Sequence, residues 1–179
     1  MKESISVLGP PACGKNRIVE PYKERVIQVG EFAHSLPRDG ELGKRCMACW
    51  QNNIPFDSDL LERLLNIYPF PNFDWIIFNG TPRGAGDYDV VRKFYNLHTL
   101  IEINVDYAVW MERAKNSINE RNHRKDSSLS QLMRRRDVYC SEIDSLRSCF
   151  NRVFVVDNSD KLEDAQQKFI NIIQEMFYS

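Results

Sequence analysis

"SISVLGPPACGKNR" (Ser4–Arg17) joins a short apolar run to a loop punctuated by glycine, and its reading decides the rest. Gly9, Gly14 and Lys15 satisfy the first seven positions of GxxxxGK[ST], a pattern in which backbone N–H groups wrap a phosphate chain and the lysine neutralises it. The eighth position carries Asn16 in place of a hydroxyl residue, and Arg17 follows. A strand leading into such a loop predicts an open α/β sheet, because these sheets bind ligands at the carboxyl ends of their strands.

Outward from this stretch, short β-branched or aromatic runs recur at "VIQVG", "DWIIFNG", "LIEINV" and "RVFVVD", with helical patterns between them. That alternation predicts a parallel sheet with helices on both faces. "WIIF" is continuous and apolar, as a central strand buried on both sides requires. "NRIVEPYKERV" should be the first helix, which Pro21 kinks or ends early. Residues 31–68 read as a helical insertion in which Asp57 or Ser58 caps "DSDLLERLLNIY". Residues 107–149 are also helical in pattern, interrupted near "NHRKDSS".

The 179 residues fit one domain, and a domain of this size hides about 70% of the surface of its unfolded chain. A net charge of −1 gives no argument for a nucleic-acid or membrane partner, so functional charge must be local. No run of 18 apolar residues occurs, and five cysteines, an odd number, point to reduced thiols in an intracellular protein, with the cytoplasm as the expected compartment. Cys46 and Cys49 form a CxxC in a helical context without a second Cys or His pair, which favours two structural thiols over a metal site.

Together these stretches resemble the adenylate kinase-like nucleoside monophosphate kinases, in order and over nearly the whole chain. "GPPACGKN" is similar to the family's GxPGxGKG loop, and "VGEFAHSLPRDGELGKRC" to its TGDLLR…GxELGK segment. "PFDSDLLERLL" resembles VPDELVIDLL, and "FNGTPRGAGDYD" resembles DGFPRTxxQAE with Gly80, Pro82 and Arg83 matched outright. "ERNHRKDSSLSQLMRRRDVY" resembles RxDDxxExxxxRxxxY, and "VVDNSDKLEDAQQKFINII" the last strand and helix.

The resemblance implies a P-loop NTPase-type three-layer sandwich with a central parallel sheet. Its core would comprise residues 1–30, 69–112 and 136–179, with a monophosphate-binding insertion at about 31–68 and a short lid at about 113–135. It implies transfer of the γ-phosphoryl of ATP to a nucleoside monophosphate by a monomer, with magnesium accompanying ATP. Lys15, Arg83, Arg124 and Arg135 take the catalytic positions. Pro11, Ala12, Cys13, Gly14, Lys15, Asn16, Arg17 and Arg113 fall on the ATP side, Arg113 over the donor base. Gly30, Glu31, His34, Gly80, Arg83 and Asp87 fall on the monophosphate side.

Several positions depart from the pattern. His34 replaces an arginine that grips the acceptor phosphate, with Arg38 close by in sequence. Asp87 replaces the glutamine that reads adenine; an ionised carboxylate only accepts, which suits guanine or cytosine better, and the same residue could instead cap a helix. Between Arg113 and Arg136 stand eight Lys or Arg against two acids. Lys115, Arg121, Lys125, Arg134 and Arg136 read as a solvated face, and the other three fall in the implied site. Asn16 with Arg17 and Asn79 replace the groups expected near magnesium, leaving Asp74, Asp87 and Asp106 as carboxylates that could compensate and Arg17 as a candidate fixed cation. The residues therefore admit three readings: a kinase of altered acceptor choice, a nucleotide-binding relative acting as sensor or partner protein, and a small-molecule kinase of the same loop class.

Overall fold

The computed structural model describes residues 1–52, 54–120 and 128–178, with 119 and 120 as backbone only. Five strands form one all-parallel sheet in the order β2-β3-β1-β4-β5: β1 Glu3–Leu8, β2 Val26–Ile27, β3 Trp75–Asn79, β4 Asn96–Asn104 and β5 Arg152–Asp157. β1 pairs with β3 in the register Ile5↔Ile77 and with β4 in the register Ile5↔Thr99. The chain leaves β1 toward one edge and β3 toward the other, so the crevice between the carboxyl ends of β1 and β3 is the switch point where such sheets take ligands.

Period-two alternation sorts the strand residues into two cores. Ile5, Val7, Trp75, Ile77, Ile101, Ile103 and Val156 face one side, where α1 (Lys15–Ile18), α6 (Tyr107–Glu120) and α8 (Leu162–Phe177) bring Ile18, Trp110 and Phe169. Leu8, Ile76, Phe78, Leu97 and Leu100 face the other. There α2 (Val29–Ser35), α3 (Glu41–Gln51), α4 (Ser58–Ile67), α5 (Ala85–Val91) and α7 (Leu129–Arg147) close the layer. "WIIFN" is buried at every position, as its unbroken apolarity requires. Among the described residues no helix is long and apolar enough to cross a membrane.

Local chemistry sets the helix limits. The first helix is shorter than its pattern: α1 stops at Ile18, and Pro21 opens a 3-10 stretch over Glu20–Arg25 with non-helical dihedrals at Tyr22. Likewise, "VIQVG" pairs only at Val26 and Ile27, since Val29 and Gly30 already belong to α2. Of the two candidate caps for α4, Asp57 is used, its Oδ1 accepting from Leu60 N at 2.7 Å. Ser128 caps α7 in a capping box with Gln131. Positions 113 and 135, the limits expected of a lid, fall inside α6 and α7. Cys46 and Cys49 lie one turn apart on the buried face of α3, where burial raises both thiol pKa values.

Ionic contacts then join elements that the cores leave adjacent. Arg45 on α3 reaches Asp59 at 2.6 Å and Asp57 at 3.0 Å, and Arg63 on α4 reaches Glu41 and Asp59, each at 3.2 Å. On the opposite edge, Glu102 of β4 is only 5% exposed. Arg147 near the end of α7 clamps it through Nε at 2.8 Å and Nη2 at 2.9 Å, and Tyr139 donates to it at 3.2 Å. Burial first, and then the Glu102 charge, push the Tyr139 phenol well above its ordinary pKa.

Arg147→Met should therefore leave Glu102 buried without its cation. Exposed pairs contribute about 0–1 kcal/mol and breaking a fully buried one costs about 3–5, so with Arg147 partly at the surface a loss of about 2 kcal/mol is expected in urea unfolding. Adding Glu102→Gln to this variant should recover part of the loss; a fully additive double variant would mean that the pair is not coupled.

Candidate functional site

The loop between β1 and α1 is shaped by what holds its carbonyl groups. Lys15 Nζ turns back to Gly9 O at 2.7 Å and Pro10 O at 3.0 Å. Trp110 Nε1 donates to Pro11 O at 2.6 Å, and Asn158 Nδ2 to Cys13 O at 2.8 Å. Ala12 at φ 63 and Gly14 at φ 94 adopt the left-handed conformations this course demands. With those oxygens tied, the N–H groups of Ala12, Gly14, Lys15 and Asn16 engage no acceptor among the described residues. Successive backbone donors in such a turn form a concave nest for an anion.

Two contacts explain the tightness of the loop. A Cβ on Gly9 would sit 2.6 Å from Ile103 O and 2.7 Å from Cys13 Sγ, and one on Gly14 would sit 2.5 Å from Asn158 Nδ2. Asn158, just past β5, also binds Asn104 O through its N–H, while its own carbonyl accepts from Arg113 at 2.6 Å. Arg113, placed by resemblance over a donor base, is thereby fixed to the same residue that fixes the loop.

Across the crevice, the segment after β3 supplies a second cluster. Gly80 N donates to Val7 O at 2.9 Å and Ser6 Oγ to Thr81 O at 2.7 Å, fastening the turn to β1. Arg83 Nε meets Gly80 O at 3.4 Å, and Arg83 N donates to Asp87 Oδ2 at 3.0 Å. Val29, Gly30, Phe56, Leu61, Thr81, Arg83 and Asp87 line a cavity of about 20 Å³. That volume admits a water-sized group.

The charges here perturb one another. Although solvent reaches Arg83, protein surrounds it in an open cleft, and this desolvation lowers its pKa; Asp87 opposes the shift and Arg135 on α7 adds to it. The Arg135 charge is therefore felt at Arg83, though weakly beside the desolvation. Asp87 is raised by burial, against the stabilising Arg83 contacts. It is the third residue of α5, whose N-cap is Gly84, so it is not the cap: it supports the helix start and borders the cavity together.

Other expected residues are engaged elsewhere. The His34 ring stacks on Trp50 at 3.7 Å and 9°, and His34 is not among the residues lining the cavity. Glu31 is exposed, and its charge acts on Tyr68. Arg17 is also exposed; its carbonyl accepts from Gln166 on α8, and its guanidinium engages no described residue. Arg136, expected in solvent, lies over the rings of Tyr107 at 4.9 Å and Trp110 at 5.2 Å. Arg124 lies outside the described residues.

The usual metal positions hold amides that bond each other, Asn79 Nδ2 donating to Asn16 Oδ1 at 2.8 Å. Of the carboxylates that could compensate, Asp74 lies at the amino end of β3, away from the crevice, and Asp87 accepts from Arg83. Asp106 is exposed at the start of α6. Magnesium demands hard, usually anionic oxygens, so one neutral amide oxygen does not fit it as a protein ligand. Among the described residues no group of three or more His, Cys, Asp or Glu could hold a metal ion.

Sequence reasoning missed Trp110, Asn158 and Glu102. Asn158 and Glu102 carried one usable signal, a polar residue at or just beyond the carboxyl end of an apolar strand. The chain matches no family model, and no curated protein matches it closely enough to count as a relative.

The raised pKa of Asp87 fixes a sign for a pH experiment. Its folded-state pKa exceeds the unfolded value of 3.8, so ionisation opposes folding above the folded pKa, and the penalty fades as pH falls through it. Asp87→Asn keeps an oxygen for Arg83 N–H and should exceed the parent in urea midpoint at pH 7, with the difference vanishing near pH 4. An equal or lower midpoint at pH 7 would show that the Arg83 charge outweighs desolvation.

Proposed function

We propose that the chain is a nucleoside monophosphate kinase that transfers the γ-phosphoryl group of ATP to an acceptor monophosphate. One observation carries the reading: four loop N–H groups beside a lysine engage no acceptor among the described residues, across a strand crevice from Arg83. The donor phosphates would take the nest, and Lys15 would exchange the neutral carbonyls of Gly9 and Pro10 for an anionic oxygen, a stronger partner. Arg83, oriented through Asp87 and Gly80, would grip the acceptor phosphate, and Arg135 would face the group in transit.

The transfer itself needs little covalent help. An acceptor phosphate oxygen attacks the γ-phosphorus as the bond to the bridging oxygen breaks, and ADP leaves with that electron pair. Catalysis is then positioning plus neutralisation of spread charge. The bonded Asn16–Asn79 pair favours the second reading, a nucleotide binder without useful turnover, because neither amide brings charge to the reaction.

A coupled assay with ATP and magnesium against AMP, GMP, CMP, UMP and their deoxy forms separates the two. Turnover with at least one acceptor is expected, and nucleotide binding without turnover would establish the second reading. Lys15→Ala should lower transfer about 100-fold while the fold survives. Unchanged transfer by the folded variant would move the active site elsewhere.

Acceptor choice gives a separate check. If Asp87 reads the base, the parent prefers GMP or CMP to AMP, and Asp87→Gln moves the ratio toward AMP by about 10- to 100-fold, the worth of a charged hydrogen bond. A ratio left as it was would confine Asp87 to holding Arg83.

A further inference from the structure

Asn79 ends β3 directly beside Val7 of β1, at the crevice that the loop amides border. It is only 8% exposed, and its Oδ1 is buried without a hydrogen-bond partner while its Nδ2 is spent on Asn16. Both side chains of the pair are neutral, so neither brings the anionic oxygen with which a carboxylate at this strand end would hold a dication.

The charge around the pair points to its occupant. Lys15 and Arg17 stand next to Asn16 on the same short helix, and both oxygens of Glu102, the one buried carboxylate among the described residues, are held by Arg147 and Tyr139. A loop with unengaged N–H donors, a lysine and no carboxylate bonded to it among the described residues suits a bare polyphosphate. A carboxylate at position 79 would repel that polyphosphate unless a dication stood between them.

Resting on the kinase reading above, we infer that this donor site binds ATP nearly as well without magnesium as with it, because the bonded Asn16–Asn79 pair brings no charge to hold the ion or to repel the bare triphosphate. The metal-free triphosphate is then a true ligand of the protein, and magnesium preference is a property of the two amide positions rather than of the loop.

Calorimetric titration of the full chain with ATP in excess EDTA, and again in excess magnesium chloride, tests this by binding alone. The two dissociation constants should agree within about threefold, less than one charged hydrogen bond would produce. Asn79→Asp should weaken metal-free binding and open a preference of at least about tenfold for the magnesium complex. Should that variant fail to fold in a thermal melt, Asn16→Thr, at an exposed position, breaks the pair and restores a hydroxyl, and the preference should rise there too. A parent preference above tenfold, or an unchanged ratio in the folded variants, overturns the inference while leaving the kinase reading intact. Absence of binding to either form overturns both.

Discussion

The capture of two loop carbonyls, those of Pro11 and Cys13, by groups distant in sequence is the constraint on which the site depends. A peptide unit cannot turn its oxygen inward without turning a neighbouring N–H outward, so whatever holds the oxygens decides where the donors point. Trp110 and Asn158 come from α6 and from the end of β5. The two ends of the sheet's second half are thus spent on shaping a loop in its first few residues, and the core around Trp110 serves as the mould.

Lys15 completes that arrangement in a different way, because its partners are replaceable. Its ammonium satisfies Gly9 and Pro10 in the absence of an anion and can leave them for a stronger acceptor. On the far side of the crevice, Arg83 and Arg135 repel one another, with Asp87 as a partial counterweight. Both halves hold positive charge in arrangements that an anion would relax. That shared property is what the proposed function draws on.

The sheet was legible in the sequence because its strands obey local rules: apolar runs of five or six residues, bounded by turn chemistry and separated by helical periodicity. The early end of α1 was legible for the same reason, since Pro21 acts on its own neighbours. What could not be read were contacts joining distant segments. "DYAVWMER" shows a tryptophan on a helix but not that its ring nitrogen meets Pro11, and "VVDN" shows an asparagine but not that it closes on Cys13. Arg136 was misread because a run of like charges ordinarily means solvent, whereas here Tyr107 and Trp110 offer a stacking surface. Asp87 was posed as a base reader or a helix cap; Gly84 is the cap, and Asp87, third in α5, accepts from Arg83 N and borders the cavity.

The lattice of Arg45, Arg63, Asp57, Asp59 and Glu41 binds α3 to α4 almost wholly at the surface, where solvent ions compete for every partner. The sheet has no such exposure, since apolar packing holds it. The cell's ionic strength therefore acts on the two parts unequally: as salt rises the surface lattice between α3 and α4 weakens, while the apolar contacts that seat both helices on the sheet do not. The outer seam of this layer is thus the part of the molecule whose stiffness the surrounding electrolyte alone can set.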